Sequence, residues 1–316
     1  MNYGDLISEA FRITWRNKFL WFFGFFVSGG LGSSINVPSN LGGQQGLPFG
    51  SVSGPFRWIS ENLVLLLVIV GALVVVLALI FIVLAIISHG ALAESVAALH
   101  RGEPRRFGLA WRAGTANFWR VLLLKILFFL MALGLVLLLS IPVLLGGLAV
   151  FSLTDSTGVR VLAVVLGIIF AVVALIVVFI PFAIVNQFAL RELVVGRRRI
   201  LDSVGGGFGL LRRNLGRSLL VWLLQLGVML GLGIAVLAVI AILGAILLGP
   251  AIALFATDHA TAGIVAGAVG GLLFLVPLFV ISGAVSAFNH TYWTLAYLRL
   301  TDFPEDSEPA QASVAA

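Results

Sequence analysis

No cysteine occurs among the 316 residues, which excludes disulfides, thiolate nucleophiles and cysteine-ligated metals. Charge is scarce as well: Asp, Glu, Lys and Arg make up 10% of the chain, against 61% hydrophobic residues. With a mean hydropathy of +1.16, that balance excludes a soluble globular protein. Catalytic signatures are missing too. There is no H-E-x-x-H or D-x-D pattern, no G-x-x-x-x-G-K-[ST], and the run GGGFG matches no dinucleotide fingerprint. The four histidines show no ligand spacing. Arg12, Arg16 and Lys18 precede the apolar run at 19–27 in the manner of a signal peptide, but no A-x-A cleavage site follows. The run therefore reads as a retained span.

What is present is apolar length. A bilayer core of roughly 30 Å needs about 20 apolar residues per helix. Spans are expected near 19–35, 63–87, 121–149, 161–187, 219–248 and 263–289. The first is the weakest, because Gly29, Gly30, Gly32 and Ser33 interrupt it; a re-entrant hairpin or an interfacial helix is the alternative there. Pro142, Pro181 and Pro277 mark the expected kinks.

The basic residues then assign the sides. Residues 1–18, 88–125, 190–217 and 299–316 hold 3, 6, 7 and 1 of the 19 Lys and Arg, leaving only Arg57 and Arg160 for the opposite loops. Basic residues mark the cytoplasmic face, so both termini are expected in the cytoplasm. The net charge of +6 is accounted for by residues flanking apolar helices, which face anionic headgroups rather than nucleic acid.

A repeat is the second organising feature. The segments LISEAFRITWRNKFL, FGLAWRAGTANFWRVL and VGGGFGLLRRNLGRSL align without gaps, matching Phe11, Trp111 and Phe208 as well as Asn17, Asn117 and Asn214, at spacings of 100 and 97. Each carries apolar or small residues at i, i+3, i+4 and i+7: Ile7, Ala10, Phe11 and Thr14 in the first, for example. That is a helical stripe. Basic residues occupy the other faces, so each segment is expected to lie in the headgroup layer as a short amphipathic elbow. Asn suits the bend into the membrane, because it tolerates left-handed geometry and bonds local backbone.

The fold expected is therefore an all-α integral membrane domain over 1–300, with about six transmembrane helices in three parallel repeats at 1–102, 103–199 and 200–299. Each repeat is a cytoplasmic elbow helix plus a helical hairpin. Residues 301–316 form an acidic, Pro-containing tail expected to be disordered.

Candidate functional residues follow from placement. Arg12, Arg16, Arg112, Arg197, Arg198, Arg199, Arg212 and Arg213 on or beside the elbows are candidates for binding anionic lipid headgroups, since Arg grips phosphate in a bidentate fork. The plain alternative is that they only set topology. His89, Asn186, Gln187, Asn289 and His290 sit near the inner ends of the even spans and form a possible polar vestibule. Their alternative is the water interface. Glu94 and Glu192, just past those spans, are expected to salt-bridge to arginines, and Lys125 to snorkel. Gly263, Gly267 and Gly271, with Gly227 and Gly231, read as rows for close packing of spans five and six. No cofactor or metal is called for.

The phrase MNYGDLISEAFRITWRNKFLWFFGFF, with its echoes at 107–124 and 204–221, resembles a broad group of uncharacterised bacterial multi-pass proteins. That group is similar to the membrane domain found beside some glycerophosphodiester phosphodiesterases. In those enzymes a separate soluble barrel carries the chemistry, and no such barrel is present here. The resemblance implies a helical module of the bacterial cytoplasmic membrane, associated with lipid. Function is accordingly expected to be non-enzymatic: engagement of anionic lipid, or of another membrane protein, through the basic elbows. The alternative is a permease or lipid transporter with a path between the repeats.

Overall fold

The computed structural model describes residues 2–29, 63–257 and 259–301. The described residues are helical throughout, with no strand: α1 (Tyr3–Arg16), α2 (Phe19–Val27), α3 (Leu63–His100), α4 (Phe107–Ala116), α5 (Phe118–Leu153), α6 (Thr157–Val194), α7 (Ile200–Arg213), α8 (Leu215–Ala256) and α9 (Ala260–Thr301). Five of these, α3, α5, α6, α8 and α9, are long and apolar enough to cross a membrane. The chain is a multi-pass helical membrane protein.

The first expected span departs from this. Helix α2 is 9 residues long, about 13 Å by helical rise, and too short to cross alone. The continuation of that span, the loop to residue 62 with Arg57, and the acidic tail beyond Thr301 lie outside the described residues.

The long helices also run further than their apolar cores. At 36–42 residues they extend about 54–63 Å, nearly twice the hydrocarbon thickness. Glu94 and Glu192 thus lie inside α3 and α6 rather than beyond them. Only residues 154–156 separate α5 from α6, and only residues 257–259 separate α8 from α9. Pro250 joins Pro142, Pro181 and Pro277 inside helices.

Burial follows from this excess length. Residues 68–83 of α3 are exposed on every face, whereas Leu92, Ala93, Val96, Phe188, Leu193, Tyr292, Trp293 and Leu295 are fully or almost fully buried. Lipid gives no hydrophobic reason to bury the outer halves. Where the helices project past it, apolar area must be removed from water, and small residues (SHGALAESVAAL in α3) let the helices close on one another.

Helices α1, α4 and α7 dock onto this buried base, each on a long helix: α1 on α9, α4 on α3, α7 on α6. The contact surface is made of small residues. A Cβ on Gly114 would overlap the Ile87 carbonyl and touch Ala91, and one on Gly207 would meet Val185 and Ala189. At the corresponding place in α1, the Thr14 and Thr291 hydroxyls lie 3.2 Å apart. The three bends share one device. The side-chain amides of Asn17, Asn117 and Asn214 donate to the carbonyls four residues back, at 2.9, 3.0 and 3.5 Å. None of the three is left-handed; their φ values are −113, −97 and −122°. Asn therefore closes the elbow as an amide cap on a loose last turn, not through the backbone freedom expected of it.

Helices α8 and α9 meet at one glycine edge near their shared junction. Gly263 faces the Phe255 ring, Gly267 faces Ala251, and a Cβ on Gly270 would overlap the Leu247 carbonyl. The row thus continues at Gly270 rather than Gly271, and Gly227 and Gly231 face open space. Helix α2 is fixed differently: Gly24 crosses Gly283 of α9 at backbone contact.

Candidate functional site

Two clefts open beside the docked helices at the buried base. The larger, about 1170 Å³, lies between α7 and the end of α9 and is lined by Glu192, Arg198, Arg213, Asn214 and Arg217, with Gly205, Gly206 and Gly209. The smaller, about 350 Å³, lies between α4 and the end of α6 and is lined by Glu94, Arg105, Arg112, Asn117, Arg120 and Arg197. Their plans match: a carboxylate from a long helix, the bend Asn, and an Arg three residues beyond it. In each an Arg reaches the carboxylate, Arg198 to Glu192 at 3.0 Å and Arg105 to Glu94 at 3.8 Å. Among the described residues lining each cleft, arginines outnumber carboxylates.

Residues 195–199 straddle the two. Arg197 is the one described non-glycine residue at positive φ, 53°, a turn that costs about 1 kcal/mol or more. It sends Arg197 to the smaller cleft and Arg198 to the larger, while the Arg198 carbonyl accepts from Arg120 Nη2 at 2.5 Å. Arg199 precedes the first turn of α7 and is exposed. Arg12, Arg16 and Arg212 are exposed on α1 and α7 and line neither cleft. The apolar stripe of α1 is divided: Ala10 and Thr14 face α9, while Phe11 and Trp15 stack at 5.6 Å and are more than half exposed.

The third junction, between α1 and α9, holds an ion-pair network instead. Glu9 accepts from Arg299 Nη2 at 2.6 Å and lies 2.8 Å from His100 Nδ1, while Arg299 also donates to the Asn2 carbonyl. Burial by itself would raise the Glu9 carboxyl, but the bonds and charges of Arg299 and His100 outweigh it and hold it below the ordinary range.

Above the base lies a cavity of about 750 Å³. His89, Gln187, Asn289 and His290 line it together with Lys125, Ser28, Ser282 and Ser286. Of the expected vestibule residues only Asn186 is elsewhere; its side-chain oxygen is buried without a partner. It sits one position before Gln187, and that rotation of about 100° on a helix separates their faces. Lys125, expected to snorkel, is among the residues lining the cavity. The His89 and His290 rings meet edge to face at 5.3 Å, and Gln225 donates to Asn289 at 2.9 Å.

Arg191 was not among the residues nominated from the sequence, and neither were the cleft arginines Arg105, Arg120 and Arg217. Arg191 was counted among the topology-setting basic residues, yet it is fully buried. Its Nη1 donates to the carbonyl and side-chain oxygen of Gln187 at 2.8 and 2.5 Å, and its Nη2 to the His290 carbonyl at 3.3 Å. The one available signal was position: Arg191 lies one helical turn beyond Gln187, on the same helix face. Phe188, Tyr292 and Trp293 are buried as well, with the Trp293 ring against both Phe188 and Tyr292. Among the described residues no group of three or more His, Asp or Glu could hold a metal ion.

The model of a family of unknown function matches residues 15–303, taking in all the long helices, both clefts and the cavity. No curated protein and no solved structure matches the chain.

Proposed function

As a member of DUF7544, a family of unknown function, the chain takes its functional reading from its own geometry, and we propose that it is a non-enzymatic membrane module that engages anionic lipid headgroups at its basic inner face. The observation that carries this reading is the pair of similarly built, arginine-rich clefts where α4 and α7 dock. An arginine-rich cleft, placed where long helices leave the bilayer, suits a phosphate headgroup of the adjoining leaflet.

In this reading the three docked helices head three parallel repeats, α2 with its continuation is the first of six spans, and the basic face with both termini is cytoplasmic. The resemblance to the membrane domain beside some glycerophosphodiester phosphodiesterases belongs to the same reading, with a bacterial cytoplasmic membrane as its setting. A protein partner at the same face is its variant form.

The test is native mass spectrometry of protein released from its own membrane with lipids retained, beside Arg197/Arg198/Arg199→Gln and Arg120/Arg217→Gln variants. Retained anionic lipid that falls several-fold in both variants supports the proposal. Equal retention in all three samples reduces these arginines to topology signals and overturns it. A retained protein in place of lipid replaces the ligand with a partner.

A second reading, a permease or lipid transporter, is favoured by the cavity between the hairpins. In that reading His89, Gln187, Asn289 and His290 would line the path.

A further inference from the structure

The cavity above the base has two chemistries, and its charge is unbalanced. Its walls are alkyl and aromatic, drawn from Met229, Val236, Ile240, Phe274 and Leu278. Its floor is polar and basic, with Lys125 and Gln187 lining it and Arg191 behind Gln187. From Phe274 to His290 along α9 the lining spans about 24 Å by helical rise, room for a long alkyl chain standing on the floor.

No carboxylate among the described residues pairs with Lys125 or Arg191. The acceptors of Arg191 are all neutral, and its Nε has none. Lys125 has no hydrogen-bond partner among the described residues. The nearby carboxylates are engaged in the clefts, Glu94 by Arg105 and Asn117, and Glu192 by Arg198. Two cations withdrawn from water without an anion are strongly unfavourable. An anion seated on the floor resolves that imbalance. Arg191 also occupies the side-chain oxygen of Gln187, which orients that amide and leaves its Nε2 as a donor for a ligand.

We infer that this cavity binds an amphiphile with a long apolar tail and an anionic head, a carboxylate or a phosphate monoester, the head meeting Lys125 and Gln187. Arg191 acts as a positioning residue through Gln187. The site is separate from the inner-face clefts and takes a whole molecule out of the lipid phase rather than touching its headgroup from water. Charge selects the head and the walls select the tail.

The probe is cis-parinaric acid, a polyene carboxylate that fluoresces in apolar surroundings, titrated into the purified full chain in neutral detergent. Saturable fluorescence is expected, with displacement by oleate and at least about tenfold weaker displacement by oleyl alcohol, which lacks the charge. Lys125→Gln should weaken binding about tenfold, Gln187→Leu should weaken it without any change of charge, and Ser286→Phe should block the wall. Arg120/Arg217→Gln, which alters the clefts, should bind as the parent does. Stronger displacement by oleate than by lysophosphatidic acid names a carboxylate as the natural head, and the reverse names a phosphate monoester; either supports the inference. Equal competition by oleyl alcohol, or unchanged binding in both Lys125→Gln and Ser286→Phe, overturns it.

Discussion

Glu9 shows how much a single side chain can hold together in a protein so poor in charge. It joins α1 to the ends of α3 and α9, which are distant in sequence, through His100 and Arg299. Its carboxyl is held below the ordinary value of 4.5, so its contribution to stability is complete above that value and is lost as pH falls through the lower, folded one. The parent should therefore lose melting temperature in detergent as the pH is taken from about 6 to about 3. Glu9→Gln should start lower at neutral pH and lose less across the same range. Parallel losses in the two proteins would show that other carboxylates control acid stability.

Arg191 makes the opposite point at the same scale. Read along the chain, it belongs with the arginines that fix the inner face. In the fold, the helix carries it one turn past Gln187 into the base. A count of basic residues treats every arginine between spans as solvated, and only the position at which α6 ends distinguishes this one.

At the scale of elements, glycine decides which helices approach. Gly24 meets Gly283 at backbone contact, so Gly24→Val has no space to enter and should destabilise by at least about 2 kcal/mol, read as a lower thermal midpoint. Gly227 faces nothing within 4 Å, and Gly227→Ala should be neutral or stabilising by about 0.5–1 kcal/mol through helix propensity. If both substitutions behaved alike, α2 would not be anchored where the structure puts it. The two glycines look the same in sequence: each sits in an apolar run. Spacing alone nominated Gly227 and Gly231, which are open, and passed over Gly270 and Gly283, because periodicity gives the face of a helix but not which face is covered.

The docked helices were far more legible. Their period of small and apolar residues and their recurring Asn are local properties, and the helices form where those patterns predict. What the pattern did not contain is the partner. The same stripe suits lipid or another helix, and Ala10, Thr14, Gly114 and Gly207 are small enough for the second. Helix ends were least legible, since hydropathy falls where a helix leaves lipid even though the helix continues.

For the whole molecule, side follows from charge. The α5–α6 and α8–α9 junctions lie at one end, and α1, α4, α7 and the end of α9 lie at the other with nearly all the described basic residues. Moving so many cations across a bilayer is unfavourable, so the basic end should be cytoplasmic. The absence of cysteine makes this directly testable, because any introduced thiol is the only one. Ser156→Cys and His259→Cys occupy exposed turn positions, and Thr115→Cys and Arg212→Cys occupy exposed positions on α4 and α7. A membrane-impermeant maleimide applied to intact cells should label the first pair, and should label the second pair only after lysis. The reverse pattern would invert the orientation and place the arginine clefts outside, away from the anionic cytoplasmic leaflet that the lipid reading needs. Labelling of one residue from each pair in intact cells would break the hairpin topology itself. The predicted pattern would leave the clefts facing the cytoplasm and the cavity floor just above them, within the inner part of the membrane.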